Sequence, residues 1–134
     1  MRITKISYER LQLKLVEPYT IAYETVEETT NFILKLETES KWTAYGCSAP
    51  DVTVTGESPE QVEESIKDII IPYLKGKNPF TYIRILTELK EMLGDKSSAL
   101  AMVDIALYDL IAKKAEVPLY QFLGGYRNCI ATSI

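Results

Sequence analysis

Apolar and polar residues alternate at the start of the chain. Leu11, Leu13 and Leu15 fall on one face of an extended segment, with Gln12 and Lys14 on the other. Ile3, Ile6 and Tyr8 do not share one parity, which predicts a bulge or bend between Ile3 and Ile6. In NFILKLETE, Phe32, Leu34 and Leu36 oppose Ile33, Lys35 and Glu37, marking a second strand. A turn around Glu39-Ser40-Lys41 leads into WTAYGCSA, a third. The short second connection predicts an antiparallel meander. Between the first two strands lies EPYTIAYETVEET, Glu17 to Thr29, longer than an ordinary hairpin connection. Its aromatic and β-branched residues argue against disorder, so it reads as a functional loop.

After residue 57 the period changes from two to that of a helix. Ser58-Pro59-Glu60-Gln61 is a capping box with proline at the first helical position. Val62, Ile66, Ile69 and Ile70 follow at helical spacing, and Pro72 and Gly76 are expected to end the run. Asn78-Pro79 restarts it, with an apolar stripe of Phe80, Ile83, Leu86, Leu89 and Met92 or Leu93 up to Gly94. A third helix is predicted from about Ser97 to Ala115. Its apolar residues wrap nearly the whole circumference, so it should be buried on most sides, in part by something other than these strands. The fold class is therefore α+β: a three-stranded antiparallel meander followed by a three-helix segment.

Composition narrows the chemistry. The 134 residues suit one domain, and 46% hydrophobic with 25% charged residues is a globular balance. A net charge of -4 with lysines scattered among acids offers no basic face for nucleic acid. The charged N-terminus does not read as a signal peptide, and no apolar run approaches a membrane span. Cys47 and Cys129 lie far apart with no CxxC, so reduced thiols in a cytoplasmic protein are expected. The chain contains no histidine, which removes Ser-His-Asp and Cys-His nucleophile systems and the usual zinc sites. Chemistry must then run on carboxylates, lysines, tyrosines or an oxygen-ligated metal.

VDIALYDLIAKKAEVPLYQFLGG, Val103 to Gly125, resembles the first signature of the mandelate racemase and muconate lactonizing enzyme branch of the enolase superfamily. Asp104, Ala106, Leu107, Asp109, Ala112, Lys113, Pro118, Leu119, Leu123 and Gly124 carry the match. Met102 departs from it, where a small residue is usual, and so does Phe122, where leucine is usual. The meander, the long first segment, the SPEQ helix and Tyr73-Leu74-Lys75-Gly76 fall in family order, so the resemblance spans the chain. Within the branch it is most similar to dipeptide epimerases, whose two substrate-closing loops EPYTIAYETV and VTGES resemble. The resemblance implies an enolase-like N-terminal capping domain over residues 1–125. Residues 126–134 would begin a truncated TIM-like barrel, with CIATSI as its first strand.

The same resemblance implies proton abstraction next to a carboxylate. Mg2+ held by three barrel carboxylates would stabilise an enediolate, and lysines on opposing barrel strands would act as base and acid. All of those residues, catalytic and metal-binding, are expected beyond Ile134. The substrate-binding residues expected here are Glu24, Tyr19, Ile21 and Tyr23 in the first closing segment and Val54, beside Asp51, Val52 and Thr53, in the second. Packing onto the strands is the competing reading for each of these except Glu24. In epimerases of Ala-Glu dipeptides the resemblance places an arginine at position 24. A glutamate there reverses the charge and favours neutral or cationic dipeptides, unless it is simply solvated beside Glu27 and Glu28.

Other candidates carry less. Asp104 and Asp109 point about 140° apart on a helix and cannot share a metal unaided. Lys113-Lys114 sit in the last helical turn, where cations complement the dipole. Cys47-Ser48 stands where glutamate and a small residue are usual, and no neighbour in sequence activates Cys47. The expected partners are a dipeptide and the chain's own barrel domain, with no nucleic acid and no membrane; a homo-oligomer is compatible. Two rivals stay open: the cap of a muconate-type cycloisomerase or o-succinylbenzoate synthase, and a free-standing, non-catalytic α+β binding module.

Overall fold

Three strands make one antiparallel sheet in the order β1-β2-β3: β1 Ile3–Ile21, β2 Glu24–Thr38 and β3 Thr43–Ser48. The computed structural model describes residues 1–21 and 24–132, with positions 19, 21, 24 and 26 described through their backbone alone. The meander is the one expected, and so is the irregularity near the start, where the β1–β2 register shifts between Ile3 and Lys5.

The segment read as a functional loop is regular structure. Residues 17–21 and 24–29 extend the first two strands into a long two-stranded ribbon, with Tyr19 opposite Val26, Thr20 opposite Thr25 and Ile21 opposite Glu24. Pairing lapses only between Lys14 and Tyr19, where Leu15 to Pro18 oppose the single residue Glu27. Pro18 has no N–H to give the ladder, so the bulge falls where pairing is weakest. The β-branched residues that argued against disorder are the ones that suit a strand.

The core face of the sheet carries Phe32, Leu34, Leu36, Ala44 and Ile3, all fully buried, with Ile6 and Tyr8 packed against them. Leu11, Leu13 and Leu15 do alternate with polar neighbours, but Leu11 and Leu13 pair across to Asn31 and Thr29, on the side away from that core. Leu13 is accordingly 46% exposed.

Helices cover the core face. The capping box forms as expected: Ser58 Oγ accepts from Gln61 N, and Gln61 Oε1 accepts from Ser58 N. Helix α1, Pro59–Ser65, does not stop before Pro72. It passes through a π-helical turn, Ile66–Ile70, into α2, Ile71–Leu74. Ile71 N–H reaches back to Ile66 O, and this wider turn removes the tight carbonyl position that a proline ring at 72 would strike. Of the two residues expected to end the run, Pro72 lies within the helix and Gly76, in a left-handed conformation, follows its end.

A 3-10 turn, Pro79–Thr81, capped by Asn78 Oδ1 on Phe80 N, leads into α3, Tyr82–Leu93. Leu89 and Leu93 of the stripe read from spacing are buried and Leu86 packs against the core, but Phe80 and Ile83 are exposed, Ile83 by 62%, and Ile85 is buried in their place. Ile85 keeps helical spacing with Leu89 as Phe80 and Ile83 do with Leu86, and tertiary packing turned the N-terminal end of the stripe toward Ile85. Helix α4, Ser97–Lys114, lies against the sheet with Ala99, Met102, Val103, Ala106, Leu107 and Leu110 buried. Gly46 makes the approach possible: a Cβ there would sit 1.9 Å from Met102 O. Helix α5, Leu119–Phe122, follows, and residues 123–132 are exposed and in no strand. Of the strand expected at 129–134, residues 129–132 are in no regular element and the last two lie outside the described residues.

Candidate functional site

A cleft of about 480 Å³ opens between the root of the ribbon and the turn after β3. Leu15, Glu28 and Thr30 line one wall, and Asp51, Val54 and Thr55 the other. The turn closes on itself. Asp51 Oδ1 accepts from Thr53 N at 2.8 Å and Val54 N at 3.1 Å, Thr55 N donates to Asp51 O at 2.7 Å, and Asp51 N donates to Thr55 Oγ1 at 3.1 Å. With its polar groups paired inside the turn, Val54 is presented outward, 73% exposed, as an apolar contact on the cleft wall.

The ionic character of the cleft is acidic. Glu28 and Asp51 are the charged residues along it, and no cation is among the described residues that line it. Glu28 Oε1 accepts from Gln12 Nε2 at 2.9 Å, which fixes the place of the carboxylate. Lys14 lines the adjoining hollow, with Pro18 and Glu27.

Of the residues expected to bind substrate, Val54 alone has a described side chain, and it lies on the cleft. Tyr19, Ile21 and Glu24 belong to the paired far end of the ribbon, and their side chains, like all of Tyr23, lie outside the described residues.

Both stems of the turn are tied to the start of α4. On one side, the Ser48 and Ser98 hydroxyls hydrogen-bond to each other. On the other, Glu57, 2% exposed, accepts from Ser98 N at 2.6 Å and Ala99 N at 3.2 Å. Helix α4 has no side-chain cap of its own at Lys96, so Glu57 supplies both the missing acceptor and a negative charge where the dipole favours one. Sequence reasoning missed Glu57 because capping motifs are read within a few residues, and this acceptor comes from about forty residues away. The serine at 48 now has an account, in its pairing with Ser98. Cys47 is exposed on the sheet, and partial desolvation pushes its thiol up, away from reactivity.

The ribbon root is braced from below. Tyr8 OH donates to Glu63 Oε1 at 2.8 Å, and Arg10 reaches Glu63 and Glu60 at 3.0 Å each, joining β1 to α1. Lys67 adds a 2.8 Å ion pair to Glu63. The Lys67 ammonium, then the Tyr8 hydroxyl and Arg10, hold Glu63 at about 2, well below the usual carboxylate range.

The two aspartates of α4 do unrelated work. Asp109 Oδ2 accepts from Tyr45 N at 2.9 Å and Lys113 Nζ at 2.7 Å, while Lys113 also donates to Thr43 O at 3.1 Å. Together they satisfy the free edge of β3. Asp104 faces the other way, onto a hollow with Leu86, Lys90 and Leu100; its Oδ1 is buried without a partner, and burial raises its pKa. No group of three His, Cys, Asp or Glu residues suited to a metal occurs among the described residues. With Asp109 committed to the sheet edge and Asp104 turned away, the carboxylates here do not fit a magnesium site. No helix among the described residues is long and apolar enough to cross a membrane.

Residues 4–124 match the family model for the mandelate racemase / muconate lactonizing enzyme N-terminal domain. The L-Lys-D/L-Arg epimerase of Desulforapulum autotrophicum is 39% identical over 100% of this chain and 38% of its own length. A crystal structure of the dipeptide epimerase of Enterococcus faecalis, complexed with Mg and L-Leu-L-Tyr, superposes with a TM-score of 0.93 at 36% identity, over 98% of this chain and 37% of that one. The L-Ala-D/L-Glu epimerase of Bacillus subtilis, in a substrate-liganded complex, gives 0.90 at 34% identity, over 96% and 36%. The chain thus spans little more than a third of the length of these relatives.

Proposed function

The chain belongs to the mandelate racemase / muconate lactonizing enzyme family of the enolase superfamily, through that family's N-terminal domain, and from this premise we propose that it is the substrate-capping part of a magnesium-dependent dipeptide epimerase selective for neutral or cationic dipeptides. The observation that carries the proposal is the cleft: an apolar residue on a self-closed turn faces a ribbon root, and the charges between them are carboxylates. A dipeptide with an acidic side chain would meet like charge there, whereas a neutral or basic one would not. The same sense follows from Glu24 on the ribbon, where relatives that act on Ala-Glu are expected to carry arginine. The similarity to an epimerase named for L-Lys-D/L-Arg substrates supports that choice.

On this reading residues 1–125 form the cap, and residues 126–134 lead into a barrel that supplies the metal ligands and the proton-moving groups. On the same reading Mg2+ is held by the chain's own barrel domain, and residues 1–134 by themselves are inactive. What this chain does is bind and exclude: Val54 and the ribbon shield the reacting carbon from water and set the side chain that fits. The unpartnered Asp104 oxygen and the exposed Ile105 on α4, next to the Tyr108–Phe122 ring contact that leads the chain away, support α4 as the face that meets the barrel.

The test is a dipeptide library assayed for epimerisation with the intact parent, wild type and Glu24→Arg. The wild type is expected to favour neutral or basic dipeptides, and E24R to shift preference toward Ala-Glu by about tenfold. Wild-type preference for Ala-Glu would refute the specificity assignment.

A further inference from the structure

The turn that presents Val54 has two stems, and both end on one residue of a different element. Ser48, before the turn, pairs its hydroxyl with that of Ser98; Glu57, after it, takes the Ser98 N–H at 2.6 Å. Pro50 inside the first stem and Glu57 in the second are buried, so the stems are held in the interior while the tip is exposed. Gly56, at φ +73, lets the chain reverse into the buried glutamate.

We propose that Ser98 is a positioning residue for substrate selection: it clasps both stems of the Asp51–Thr55 turn and thereby sets where Val54 stands over the cleft. This deepens, and rests on, the reading of that turn as a substrate lid. The clasp lies at the first turn of α4, the helix whose far side carries Asp104. Seating of α4 and placement of Val54 are consequently one event, because the residue that anchors the turn is part of the helix. Ser98 touches no substrate. Its influence passes through the turn, so it alters which side chain is held and how well, and leaves the rate of the bound complex nearly untouched.

The experiment uses the intact parent with Mg2+ and two dipeptides, one with a large and one with a small side chain. Ser98→Ala removes the hydroxyl pair while keeping a good helix former, and Glu57→Gln weakens the second tie. Each is expected to raise KM for the large-side-chain dipeptide by about five- to tenfold with kcat within about twofold. Val54→Ala is expected to lose most of its own KM effect in the S98A background, since a turn set loose no longer places that valine. Hydrogen exchange of residues 51–56 should quicken in S98A and E57Q. KM unchanged in folded variants, or S98A and V54A effects that simply multiply, would overturn the proposal, as would equal loss of kcat for both dipeptides. If the wild-type parent epimerises no dipeptide, the epimerase reading fails, and the exchange measurement decides the clasp by itself: unaltered exchange of 51–56 in S98A would discard it.

Discussion

At Gly46 a single added methyl group would sit 1.9 Å from the carbonyl oxygen of Met102, and the obstacle is helix backbone with no rotamer to yield. Gly46→Ala is expected to destabilise the protein by about 3 kcal/mol or more, by forcing β3 away from α4; a urea midpoint within error of the wild type would show that the two elements can part cheaply. Glu63 offers a second test with a defined sign. Its native value of about 2 lies below its ordinary 4.5, so the stability it contributes is present above about pH 4.5 and is lost as pH falls toward 2. Glu63→Gln should flatten the stability profile across that window, and an unchanged acid limb would place the acid sensitivity elsewhere. Neither residue was singled out from sequence. A glycine in a strand and a glutamate in an amphipathic helix are ordinary; Gly46 owes its role to Met102, and Glu63 owes its to Lys67 one turn away together with Tyr8 and Arg10, which come from about fifty residues off.

At the scale of elements, much of the architecture was legible. The alternation in NFILKLETE, the capping box at Ser58 and the apolar wrap of Ser97 to Lys114 each appear as read, because local spacing decides them. The misreadings share one cause, which is that partners in space are invisible to a period. The segment 17–29 looked like a loop by length, whereas its described residues, 17–21 and 24–29, form a ribbon by pairing with each other. Of the stop read at Pro72 and Gly76, the glycine holds and the proline is carried through by the π turn before it. In α3 the stripe was read correctly at Leu89 and Leu93 and missed at its start, where Ile85 is buried rather than Ile83. Of the candidate site, Val54 was legible through resemblance to a closing loop, whereas the Ser48–Ser98–Glu57 clasp required three segments to meet.

For the whole molecule, the account depends on division of labour. This chain supplies an acidic, partly apolar cleft and carries no described carboxylate cluster suited to a metal, while its relatives are about two and a half times longer and include dipeptide epimerases solved with Mg. The direct measurement is exchange of the α-proton of a dipeptide in heavy water, followed by mass spectrometry, with the intact parent and with this chain alone. Deuterium is expected to enter one residue of a neutral or cationic dipeptide with the parent and Mg2+, to stop when the metal is chelated, and never to enter with residues 1–134 by themselves. Exchange catalysed by the isolated chain, or a folded, metal-loaded parent that exchanges no dipeptide at all, would contradict the assignment of this polypeptide as an epimerase cap.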